Sequence, residues 1–146
     1  ATIAGDSTYR IYGTRGSVPI LSFATKANRY AVDGTMASTG ELDVRDMTIE
    51  PDGSFEIIVS RERPTDAINW LGLEADSSMV LVRQTFHIRD EEDPAVVNIE
   101  AVNPPPHDPQ LSLQTVEDGL KMTSDFVAGT SQLFIHWANT FKSVNR

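Results

Sequence analysis

The stretch AVVNIEAVNPPPHDPQLSLQTVEDGL, residues 95–120, changes its periodicity partway along. In its first part Val97, Ile99 and Ala101 fall on one side and Asn98 and Glu100 on the other, the two-residue period of a half-buried strand. In its last part Leu113, Val116 and Leu120 recur at intervals of three and four, the period of a helix face. Between them NPPPHDPQ, residues 103–110, carries four prolines in eight positions. Proline lacks a backbone donor and fixes φ at roughly −65°, so neither a helix nor a central strand continues through it. A stiff, extended linker is expected at 104–110.

Upstream of that switch the chain reads as strands cut by turns. Tyr9 and Ile11 alternate with Arg10 and Tyr12, and GTRG, residues 13–16, follows as a turn. SVPILSFA, residues 17–24, then reads as the second arm of a hairpin, with Pro19 pointing to an edge or a bulge. Lys26 to Gly40 reads as a long polar loop around a weak strand. Leu42 to Glu50, with Met47 and Ile49 inward, and SFEIIVS, residues 54–60, flank the turn PDGS and form a second expected hairpin. Ser78 to Arg89 reads as one long strand, DEEDP at 90–94 as an exposed loop, and Ala95 to Val102 as the next strand.

Downstream, Ser112 or Thr115 is expected to cap a helix, with Asp118 completing a capping box with Thr115. Leu133, Phe134, Trp137, Ala138 and Phe141 extend the apolar face beyond Gly129, a residue expected to kink or divide the helix. Strands segregated from helix predict a mainly β protein, an antiparallel β-sandwich or barrel, with the sandwich taken as the fold, followed by a C-terminal amphipathic helical segment. The boundaries are a β-sandwich domain at 1–103, the proline-rich linker at 104–110, and a helix or helix pair at 111–146. A face this apolar must pack on the sandwich, on a missing N-terminal part of the same protein, or on a homo-oligomer partner.

Composition excludes several functions. The 146 residues carry a formal charge of −9 and no cysteine. Thiol catalysis, disulfides and cysteine zinc sites are excluded. The negative charge repels phosphate backbones and anionic headgroups, so nucleic acid is not an expected partner. The sequence has no run of ~18 apolar residues, so membrane insertion is not expected. The opening ATIAGDSTYRIYG lacks both Met and a signal pattern and suggests a fragment or processed product. The protein is expected to be soluble, with cytoplasm and periplasm left open.

Candidate sites centre on Asn69, Trp70, Arg83 and His87. Arg83 and His87 share one face of the long strand. There Arg83 either grips a carboxylate or phosphate with His87 beside it, or pairs with a neighbouring acid. Trp70 beside Asn69 either stacks on a sugar ring or anchors a loop. Gln84, on the apolar face, requires amide partners, a loop backbone first. GTRG leads into a strand, which is not the setting of a phosphate loop. His87, His107 and His136 are isolated, so neither a metal nor a cofactor is expected. No nucleophile elbow occurs and no catalytic residue is assigned. Glu56 and Glu100 are expected to face solvent.

The segments DSTYRIYGTRGSVPILSF, EPDGSFEIIVS, NWLGLEADSSMVLVRQTF and DFVAGTSQLFIHWANTF together resemble bacterial proteins of the domain of unknown function 1214 type. The resemblance rests on Tyr9 and Arg10, Arg15 and Gly16, Pro51 to Gly53, Asn69 to Leu71, and Val82 to Phe86, in that order. It implies a jelly-roll-like sandwich, with additional N-terminal sequence in such chains, and no assigned activity. The expected function is a structural or assembly module of a larger bacterial protein. The alternatives are a small-molecule or carbohydrate-binding domain, and a hydrolase or lyase with His87 as base.

Overall fold

The computed structural model describes residues 1–30, 32–103 and 112–144. Seven strands precede one helix: β1 Tyr9–Thr14, β2 Ile20–Arg29, β3 Thr35–Asp43, β4 Ser54–Ser60, β5 Trp70–Gly72, β6 Met79–Thr85, β7 Val96–Ala101 and α1 Leu113–Val144. They form two sheets, ordered β5-β4-β1-β7 and β3-β2-β6. β1 pairs antiparallel with β4 and β7, and β2 with β6, while β4 pairs parallel with β5. The protein is thus mostly β with a C-terminal helix. The expected linker at 104–110, with His107, lies outside the described residues.

The alternating residues build one buried cluster fed by both sheets. Ile11, Phe55, Ile57, Val59 and Leu71 come from the first sheet, and Leu21, Phe23 and Val80 from the second. Phe23 meets Phe55 edge to face, with ring centroids 5.7 Å apart. Such burial removes apolar area from water at about 25 cal/mol per Å².

Four expectations are corrected. First, β1 and β2 do not form a hairpin. β1 is paired on both sides, with β4 and β7, and β2 lies in the other sheet. The link turns at Gly16, whose φ is 64°. Pro19 precedes β2, where no ladder donor is required. Second, the segment before PDGS is not a strand over 42–50. β3 ends at Asp43, a 3-10 turn follows at Val44–Asp46, and β4 pairs with β1 and β5 instead. The backbone of Thr48 bonds the side chain of Asn69, which takes the place of a neighbouring strand.

Third, Lys26 to Gly40 is not a loop. β2 runs on to Arg29 and β3 starts at Thr35. Neighbouring strands joined by so short a link can only be antiparallel. β3 has no buried residue, so the apolar alternation that would betray it is missing. Fourth, the long strand stops at Thr85, and His87 to Arg89 lie beyond it. The Glu92 carboxylate accepts from the backbone N–H of His87 at 2.8 Å and of Ile88 at 3.3 Å, which bends the chain there.

The chain divides into two compact units. The first is Ala1–Ala27 with Ser38–Pro104, and the second is Asn28–Ala37 with Pro105–Arg146. The tip of the β2–β3 hairpin therefore belongs with α1. Within that second unit the Tyr30 and Phe126 rings lie 6.0 Å apart.

Candidate functional site

In the β unit, alternation puts Arg10 and Tyr12 of β1 opposite its buried Ile11. Arg10 stands across from Glu100 on β7, and Tyr12 across from Glu56 on β4. Arg10 Nε donates to Glu56 at 2.5 Å and Nη1 to Glu100 at 3.0 Å. Its guanidinium also lies 4.4 Å from the Tyr12 ring centroid. The bonds to Glu56 and then Glu100 raise the arginine pKa above its ordinary value. A groove of about 670 Å³ runs over this face, lined also by Glu50, Asp66, Ile68 and Asn69. Its one arginine is already held by two carboxylates. The groove is therefore acidic, suited to a cationic or hydroxyl-rich molecule and poorly suited to a phosphate. Glu56 and Glu100 do lie on the outer face, as their alternation implies, but bound to Arg10.

The four sequence-derived candidates are not gathered into one cavity. Arg83 is exposed on β6 and lines a smaller groove of about 190 Å³ with Lys26 and Glu41. Glu41 is held below the usual carboxylate range by the Ser38 hydroxyl first and then by Lys26, with Arg83 adding a weaker pull. His87 is exposed in the bend after β6. Asn69 is buried and acts as a strut: its amide bonds Thr48 N–H, Thr48 C=O and Glu56 C=O. Trp70 donates its indole N–H to Ser60 Oγ at 3.0 Å. Gln84 donates to Ala95 C=O and accepts from Ala95 N–H, a loop-backbone partner. Among the described residues no group of three His, Asp or Glu side chains is placed to hold a metal.

The second unit offers a different kind of surface. Ser112 caps α1, accepting from Thr115 N–H at 3.0 Å. The expected capping box between Thr115 and Asp118 does not form, because Ser112 is the cap and Thr115 already lies inside the helix; Asp118 accepts from the Gln114 amide. The helix runs unbroken through Gly129 for 32 residues, and none of them is buried. Phe126 and Leu133 face the hairpin tip, where a Cβ on Gly34 would lie 3.8 Å from Leu133. Leu113, Leu120, Val127, Phe134 and Phe141 remain exposed. No helix among the described residues is long and apolar enough to cross a membrane.

Sequence reading missed the Arg10 cluster, and it found the apolar helix face but not its exposure. The first was legible in part, since Arg10, Glu56 and Glu100 each sit opposite an apolar face. Which strands became neighbours was not.

The chain is similar in fold to the crystal structure of an uncharacterised protein from Burkholderia cenocepacia, with a TM-score of 0.92 and 38% sequence identity. The match covers 98% of this chain and 39% of that one. No family model and no curated protein matches the chain.

Proposed function

We propose that this chain is a non-catalytic assembly module of a larger bacterial protein, of the domain of unknown function 1214 type. In this reading its two sheets close as a jelly-roll-like sandwich and its helix docks on a helical partner. One observation carries the reading: α1 has 32 residues and buries none of them. Helices in water owe most of their stability to packing of an apolar face. A face this long and bare calls for an occupant. The similarity to a chain of which this one spans only 39% supports a module set within more polypeptide.

The test is made on the full chain, by light scattering together with hydrogen exchange of the α1 amides. Either an assembly larger than one chain, or a single chain whose α1 amides exchange freely, is the expected result. A single chain with fully protected α1 amides overturns the docking role.

The acidic groove beside Tyr12 favours a second reading, a binding site for a hydroxyl-rich or cationic small molecule. A thermal-shift screen of sugars and polyamines against wild type and Arg10→Ala tests it. No stabilisation by either class discards it. A histidine-base enzyme gains no support, because Glu92 is bound to backbone N–H groups and does not orient the His87 imidazole.

A further inference from the structure

The geometry points to a second copy of this chain as the occupant of α1, paired with it antiparallel. This rests on the docking reading above. Positions 113, 116, 120, 123, 127, 130, 134, 137, 141 and 144 follow one another at alternating steps of three and four along the whole helix. They read Leu, Val, Leu, Thr, Val, Thr, Phe, Trp, Phe and Val. This is the a/d seam of a heptad repeat, whose knobs-into-holes spacing fits another helix. The positions opposite the seam, Asp118, Asp125, Gln132 and Asn139, are all polar. The eight large seam side chains are 41% to 92% exposed.

The seam complements itself when one helix is reversed. Antiparallel pairing about the middle of α1 sets Leu113 against Val144, Val116 against Phe141, Leu120 against Trp137, Thr123 against Phe134, and Val127 against Thr130. Bulk is shared across the layers, with each aromatic meeting a smaller chain. Parallel pairing would instead stack Trp137 on Trp137 and Phe134 on Phe134, while leaving Thr123 facing Thr123. Overpacked layers beside underfilled ones are destabilising. Charge does not oppose the pair. The helix carries Glu117, Asp118 and Asp125 against Lys121 and Lys142, so little of the chain's −9 lies along it. The hairpin tip, through Tyr30, sits on the flank of Phe126; within the seam Thr130 is partly covered, its hydroxyl buried, and the eight large side chains stay exposed.

The absence of native cysteine makes the test clean. Val127→Cys and Leu113→Cys are made separately in the full chain and treated with a short bismaleimide. In the antiparallel pair the two copies of position 127 lie about 5 Å apart along the axis, and those of position 113 roughly 45 Å apart. Val127→Cys is therefore expected to cross-link and Leu113→Cys not. Light scattering should give the mass of two chains. Trp137→Ala should weaken association more than ten-fold, and Asn139→Ala, opposite the seam, should leave it unchanged. Cross-linking at position 113 overturns the antiparallel arrangement. A single-chain mass with freely exchanging α1 amides removes the second copy as occupant but leaves docking to another helix. A single-chain mass with protected α1 amides removes both readings.

Discussion

Asn69 holds Thr48 by both of its backbone groups. The Asn69 Oδ1 accepts from Thr48 N–H at 2.7 Å, and its Nδ2 donates to Thr48 C=O at 2.9 Å. The same Nδ2 reaches Glu56 C=O at 2.8 Å, so one buried amide ties the 47–50 segment to β4. Asn69→Ala leaves three backbone groups without these partners and should cost at least about 2 kcal/mol. Asn69→Asp should cost a similar amount, because a carboxylate cannot donate to the two carbonyls. Urea unfolding midpoints measure both. A loss within error of zero would mean that water replaces the strut.

The contact between Phe23 and Phe55 joins the two sheets through their largest buried side chains. Phe23→Ala should destabilise by about 3–5 kcal/mol, as expected for a ring removed from a closed core. Phe23→Leu should cost well under half of that. Equal losses for the two variants would show that ring geometry, and not volume, dominates this contact.

Gly72 C=O is a crossing point. It accepts the Thr25 hydroxyl at 2.6 Å, and a Cβ at Gly40 would stand 2.1 Å from the same oxygen. Thr25→Val keeps the shape and removes the bond, at a cost of about 1–2 kcal/mol. Gly40→Ala must push backbone aside and should cost about 1–3 kcal/mol. Chemical denaturation of both variants checks the pair. Tolerance of Gly40→Ala would show that β3 can shift away from Gly72.

Asp43 supplies a pH dependence whose sign can be stated. The Arg45 side chain first, and the Arg45 backbone N–H second, lower its pKa from 3.8 to about 2. A depressed folded value means that the stabilisation is fully present above the unfolded value, near 4, and fades as pH falls through about 2. A carboxyl-carbon NMR titration should place the Asp43 midpoint well below the ordinary aspartate value of 3.8. Arg45→Ala should move it part of the way back, since the backbone N–H at position 45 still donates. An unmoved midpoint would assign the shift to the backbone bond alone.

Much of the β unit was legible wherever one face of a strand is buried. Ile11, Phe55, Ile57 and Val59 alternate because a one-residue slip would turn them into solvent. The turn at 51–54 was legible for a local reason: Gly53 takes φ 83°, a conformation that favours glycine. β3 was hidden because none of its residues is buried, and polar strands carry no period to read. The end of β6 was hidden because Glu92, from a later loop, captures the backbone at His87 and Ile88.

By itself, then, the sequence determined the local matters: the two-residue period before the prolines, the three-four spacing after them, the turn at Gly53, and a charge hostile to phosphate. Each depends on neighbours along the chain and on the geometry of one strand or one helix. Tertiary structure alone decided that β1 lies between β4 and β7, that Arg10 is shared by Glu56 and Glu100, that Arg83 stands apart from Trp70, and that the hairpin tip keeps company with α1. Those outcomes depend on which distant segments meet. Periodicity records which face of a strand is buried, and it does not record what lies beside that strand.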